Sequence, residues 1–174
     1  MSGRILIMRL YIRIVDKLNE GIGTLVSFLM IPLVLIASYE VMMRYIFNRP
    51  TIWAWDLNIQ IFAAIIMLAG GYTLLKGDHV CVDALVHNMN PRNRAIMNLL
   101  TPIFIFIGCG VLMVWGWDMA WMSFQMRETM STVWAPPYYI MKMLVPAGAL
   151  LLILQGLSEF FKNLIIIFSK DEKE

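Results

Sequence analysis

Glu40 and Arg44 stand four residues apart with the acid first, the order and spacing that pairs a carboxylate with a guanidinium on one helical face. Asp56 follows after a short link and can reach Arg44 if the flanking segments fold as a hairpin. Two chemistries suit such a trio: a structural ion-pair pin, or a carboxylate that carries a proton or an ion. At membrane depth an unpaired charge costs about 2.5–3.5 kcal/mol even on lenient insertion scales, so pairing is the expectation. A relay would need a second carboxylate deep in another apolar segment, and the sequence has none there. His79, Cys81, Asp83 and His87 fall within nine residues and are all of metal-ligand type. Their spacing matches no established zinc pattern, and a loop offers no obvious second shell, so no metal site is expected. Neither histidine lies in an apolar run, where a membrane haem would take its ligands. Cys109 lies deep in an apolar run and Cys81 does not, so the two are not placed to bridge.

The elements that hold these residues follow from composition. Of 174 residues, 60% are hydrophobic and only 15% charged, with formal net charge +2. Soluble domains carry about 25% charged residues, so too little polar surface is left to wrap a water-soluble core. No nucleic-acid partner is implied. Charge-free stretches cover Gly21–Tyr39, Leu57–Leu75 and Ala95–Trp117, with 19, 19 and 23 residues. A fourth, Met143–Ser158, continues through Phe168 if Glu159 and Lys162 lie at its exit, or if Lys142 snorkels at its entry. About 20 apolar residues cross the hydrocarbon core. The expectation is an all-α integral membrane protein, one membrane domain over 1–174, with spans near 21–43, 54–76, 95–118 and 139–168.

Residues 1–20 read as an amphipathic interfacial helix. Arg9, Arg13, Asp16, Lys17 and Glu20 share one face, and Ile7, Met8, Tyr11, Ile12, Ile14, Val15 and Leu18 the other. A signal peptide would start its apolar core earlier and close on a small-residue site, so an uncleaved surface helix is expected. The ends and the middle loop hold ten Lys and Arg against four on the other side (Arg44, Arg49, Arg127, Lys142), which puts both termini in the cytoplasm. All six tryptophans then fall at the outer interface. They read as an aromatic belt, or as a rigid docking surface with Trp117, Trp121, Trp134, Arg127 and Glu128 as candidates. Pro136-Pro137 is expected to close the outer loop and start the last span, and Pro32 and Pro102 to bend theirs. Gly70-Gly71 and Gly108-Cys109-Gly110 would admit close helix approach. Deep polar positions such as Asn58 and Gln60 suit helix packing better than ligand binding.

Three classes remain on these grounds: a membrane scaffold or accessory subunit, a small proton-coupled exporter using Glu40, and a membrane redox subunit holding haem or quinone. A resemblance separates them. Arg44-Tyr45-Ile46-Phe47-Asn48-Arg49-Pro50 followed by Trp53-Ala54-Trp55-Asp56 resembles the link between the first two helices in the small membrane subunit (DctQ type) of tripartite ATP-independent periplasmic (TRAP) transporters. Gly77-Asp78-His79-Val80-Cys81-Val82-Asp83 is similar to that family's Gly-x-His-hydrophobic-x-x-Asp segment. Pro91, Pro137, Pro146 and Gly148 extend the likeness, and Asp56 stands where the family more often has glutamate. The resemblance implies a non-enzymatic inner-membrane subunit with no cofactor or substrate site of its own. It implies sodium coupling and transport in a large membrane subunit (DctM type), and organic-acid capture by a periplasmic binding protein (DctP type). The small chain would scaffold the first, help seat the second, and otherwise contact membrane lipids.

Overall fold

The computed structural model describes residues 2–77 and 91–171, with side chains described for 6–77 and 105–165. Among the described residues the chain forms five helices: α1 (Ser2–Phe28), α2 (Met30–Tyr45), α3 (Ala54–Lys76), α4 (Pro91–Gln125) and α5 (Tyr139–Asp171). Four segments are long and apolar enough to span a membrane: Leu6–Tyr45, Ala54–Lys76, Ile105–Gln125 and Tyr139–Ile165. The expected all-α, four-span class therefore holds.

The first segment departs from expectation. α1 runs unbroken through Glu20 and Gly21, where the surface helix was expected to hand over to the first span. The interruption comes at Leu29, whose N–H bonds to the carbonyl of Val26 one residue short of helical register, at 3.0 Å. Pro32 explains it, because a proline without N–H leaves the carbonyl four residues earlier, that of Phe28, without its helical donor. The side-chain pattern of α1 also differs. Asp16, expected among the solvent-facing charges, turns toward α5, whereas Arg9, Arg13 and Lys17 stay exposed. The apolar side divides: Val15 is buried, while Ile7, Ile14 and Leu18 face outward.

α5 is the element around which the others assemble, packing on α4, α3 and α1, with α2 carried mainly on α3. Gly148 sets the closest approach. A Cβ there would stand 2.3 Å from the carbonyl oxygen of Met67, so α3 and α5 meet backbone to backbone only because the side chain is absent. Gly71 does the same for α1, with Asn19 and Leu151 pressed onto it. The expectation for Gly108 and Gly110 is not met within this chain. Among the described residues nothing lies within 4 Å of a Cβ built at either one, although Cys109 between them is buried.

Candidate partner interface

The link between α2 and α3 is organised by Glu40, whose side chain is largely buried. One carboxylate oxygen accepts from Arg44 Nη2 at 2.6 Å and Nε at 3.1 Å. The other accepts from the Thr51 N–H at 3.1 Å and from the Thr51 hydroxyl. Asn48 takes a left-handed φ of 55°, a conformation asparagine tolerates better than most residues, and this turns the chain back toward Glu40. Trp53, at the start of α3, stacks on Tyr39 with centroids 6.1 Å apart. Thr51 escaped sequence reading, since nothing in its local spacing signals a carboxylate eleven residues upstream.

Asp56 does not join this cluster. It is 1% exposed, and its Oδ2 accepts from the Thr132 hydroxyl at 2.6 Å, not from Arg44. Arg44 is already occupied by Glu40, and Asp56 sits in the first turn of α3, where the unpaired N–H groups of a helix start favour an anion. The contact ties the α3 start to the loop joining α4 and α5.

That loop runs from 126 to 138 and is braced by Glu128. Its carboxylate takes Lys142 Nζ at 2.5 Å and the Ser123 hydroxyl at 2.6 Å, and its backbone carbonyl takes the Tyr138 N–H at 2.9 Å. The Lys142 ammonium, and after it the Ser123 hydroxyl, hold the Glu128 carboxyl below the ordinary glutamate value. Pro137 lies in the loop and pairs with Thr129, so α5 begins at Tyr139 and the prolines precede its first turn. Glu128, read from sequence as a docking residue, is thus engaged within the chain, whereas its neighbour Arg127 is exposed with φ 49°.

The aromatic residues gather at this same end. Trp117 stacks on Trp121 (6.3 Å, 8° between planes), Trp121 on Phe124 (5.9 Å), and Phe124 meets Tyr139 edge-on at 5.5 Å. Trp55, Trp115, Trp117, Trp121 and Trp134 are all exposed. A ladder of rigid rings offered to the surroundings can anchor a partner or sit at headgroup level.

The opposite end holds a polar network that sequence reading missed. Gln155 and Ser158 are fully buried and both donate to Asp16, at 3.0 and 2.9 Å. Asn19 donates to Gln155 at 2.8 Å, and Lys162 bridges Asp16 (2.8 Å) and Glu159 (2.7 Å). Lys162 and Lys142 both lie in ion pairs, with Asp16 and Glu159 for the first and Glu128 for the second. The signal was available in part: a run of Gln155, Ser158, Glu159 and Lys162 at helical spacing marks a polar stripe on an otherwise apolar helix.

Of the remaining motif positions, Gly77 ends α3 at φ 77° with its N–H on the Leu74 and Thr73 carbonyls. Pro91 opens α4, Pro146 lies inside α5, and His79, Cys81, Asp83 and His87 lie outside the described residues. Among the described residues no three His, Cys, Asp or Glu side chains gather as metal ligands would.

Residues 33–165 match the DctQ component of the tripartite ATP-independent periplasmic transporters. A sialic acid TRAP transporter permease protein, SiaT, from Haemophilus influenzae (strain 86-028NP) is 29% identical over 93 residues, which is 53% of this chain and 15% of that protein. The C4-dicarboxylate TRAP transporter small permease protein DctQ of Vibrio cholerae serotype O1 is 25% identical over 94 residues, 54% of this chain and 40% of that protein. The matches thus span well under two thirds of either relative's length. With four apolar spans and a family match over most of its length, the chain is a multi-pass membrane protein belonging to the DctQ component family of TRAP transporters.

Proposed function

We propose that the chain is the non-catalytic small membrane subunit of a sodium-coupled TRAP transporter for organic acids. It braces a large transport subunit in the inner membrane and helps seat a periplasmic binding protein. The observation that carries this reading is the outward face of α4, where Ile107, Val111, Val114, Trp115 and Met122 are each more than half exposed in a helix long enough to span. Lipid tolerates such a face, and so does a helical partner, whose close packing replaces lipid contacts. The relatives named for sialic acid and for C4-dicarboxylate transport support an organic-acid cargo. In this reading the large subunit handles substrate and sodium. Both termini lie in the cytoplasm in this reading, the basic start of α1 rests at that interface, and the Trp-rich end faces the periplasm.

Uptake in cells or vesicles holding all three components tests the assignment: this chain alone supports no uptake, and its omission from the complete set abolishes it. Accumulation of solute by the chain alone would overturn the reading. The exporter alternative makes Glu40 the carrier, so Glu40→Gln would abolish transport by the isolated chain. Arg44 and Thr51 occupy both oxygens of Glu40, which supports a structural role instead. Replacing Trp121 and Trp134 by Ala lowers binding-protein-dependent uptake at normal expression; unchanged uptake would remove the seating role.

A further inference from the structure

α1 carries two acids, Asp16 and Glu20, and helical spacing by itself sets both beside Arg9, Arg13 and Lys17. Three cations and two acids would leave that face a net charge of only +1. The fold draws the acids away. Asp16 turns into the bundle, where Lys162, Gln155 and Ser158 of α5 all donate to it. Glu20 stands 3.5 Å from Lys76 at the end of α3. Arg9, Arg13 and Lys17 stay exposed, and among the described residues no carboxylate pairs with them. Spaced four residues apart, they form a row about 12 Å long.

Contacts on the inner side fix the roll of α1 about its axis, so the row has one direction. Asn19 and Gln155 are fully buried and bonded to each other, and Gly71 admits Asn19 because it has no side chain. Tyr11 donates to the Leu154 carbonyl at 3.2 Å and meets the Phe161 ring edge-on. With that side held, the rest of the helix divides into two stripes. Ile7, Leu10, Ile14 and Leu18 recur three or four residues apart and are all exposed. The three cations lie beside them. A helix bathed in water does not gain from showing four large aliphatic side chains at that spacing, and one sunk in hydrocarbon does not tolerate three unpaired cations. The two stripes together fit the boundary where hydrocarbon meets phosphate. A zwitterionic headgroup balances its phosphate with its own amine, so uncompensated cations favour lipids of net negative charge.

We propose that Arg9, Arg13 and Lys17 form a binding row for the headgroups of anionic phospholipids. The row belongs to this chain alone, which takes it beyond the subunit assignment above and lets the two fail separately.

The full chain, reconstituted in phosphatidylcholine bilayers with a minor fraction of phosphatidylglycerol, tests the row. Spin-labelled forms of the two lipids are compared for immobilisation at the protein. The wild-type chain holds the phosphatidylglycerol probe in preference, and each of Arg9→Gln, Arg13→Gln and Lys17→Gln lowers that preference by about fivefold at low salt. Arg127→Gln, in the loop at the other end of the bundle, leaves it unchanged. Molar salt removes the preference from the wild-type chain itself, a measurement that needs no variant to fold. Equal binding of the two lipids by wild type, or a preference indifferent to salt, would overturn the row. So would an undiminished preference after all three substitutions together, whether or not the co-expressed large subunit is then lost, since the cations would serve a protein acid or nothing. An equal loss on Arg127→Gln would make the preference a matter of net charge and overturn the row as well. Displacement of the probe by millimolar inorganic phosphate would assign the cations to a free anion, with the same consequence.

Discussion

α4 and α5 are nearly equal in length, 35 and 33 residues, and their side chains meet opposite surroundings. A third of the apolar window of α5 is buried inside the bundle, against 11% of the window in α4. α5 reaches this by lining its inner face with small and polar residues: Gly148 against the Met67 carbonyl, Ala149, and the Gln155–Ser158 pair bonded to α1. Among the described residues, α4 turns bulky Ile, Val and Trp outward, and its most buried inner positions are the small Cys109, Ala120 and Ser123, with Ile105 and Phe106 packed on Gly156. In lipid, apolarity does not distinguish a core face from an exposed one, because hydrocarbon tails suit leucine as well as protein does. Small residues and satisfied polar groups do distinguish them.

Substitutions at the two helices sharpen the contrast. The largest effect belongs to Gly148→Val, whose branched side chain would drive into the α3 backbone. A loss of about 3 kcal/mol is expected, seen as a lower unfolding temperature in detergent and poor recovery of monodisperse protein. Next, Gln155→Leu leaves the Asn19 amide with only the Val15 carbonyl as acceptor and removes a donor from Asp16, costing about 2 kcal/mol in the same assay. Wild-type stability after that change would show that the network at the α1–α5 junction is ornamental.

Acid weakens the loop brace at Glu128. Its carboxyl titrates lower in the folded chain than in the unfolded one, so the brace is complete above the ordinary glutamate range and is lost as pH falls below it. Limited proteolysis after Arg127 should therefore accelerate on acidification, and Glu128→Gln should flatten that dependence. An equally steep profile in the variant would place the sensitivity elsewhere. The smallest effect is at α4: Gly110→Ala meets open space, so the isolated chain should keep its stability or gain up to about 1 kcal/mol from helix propensity. A marked loss would mean that the outward face of α4 is covered by this chain after all.

The spans were legible because runs free of charge are visible without any partner, and the Glu40–Arg44 pair because helical spacing is local. What escaped depends on distance along the chain. Thr132 lies 76 residues from Asp56 and Gln155 lies 136 from Asn19, and no periodicity announces either contact. The inward turn of Asp16 was hidden for a related reason. A charge on an amphipathic helix reads as solvent-facing until a buried serine and glutamine are known to be waiting for it. The glycines divide for the same reason: Gly70 and Gly71 meet neighbouring helices as expected, Gly108 and Gly110 meet nothing among the described residues, and the local sequence does not show what stands opposite.

The Thr132–Asp56 bond fastens the tip of one connection to the root of a neighbouring helix. Glu128 and Lys142 make that connection stiff along its length, and Glu40 with Thr51 stiffens the turn just before Asp56. A push delivered at Trp134, two residues beyond the fastening, would therefore be felt in the α2–α3 turn and not dissipated in slack chain. The two linkers meet at a single hydroxyl, so Thr132→Val is the substitution that would uncouple them.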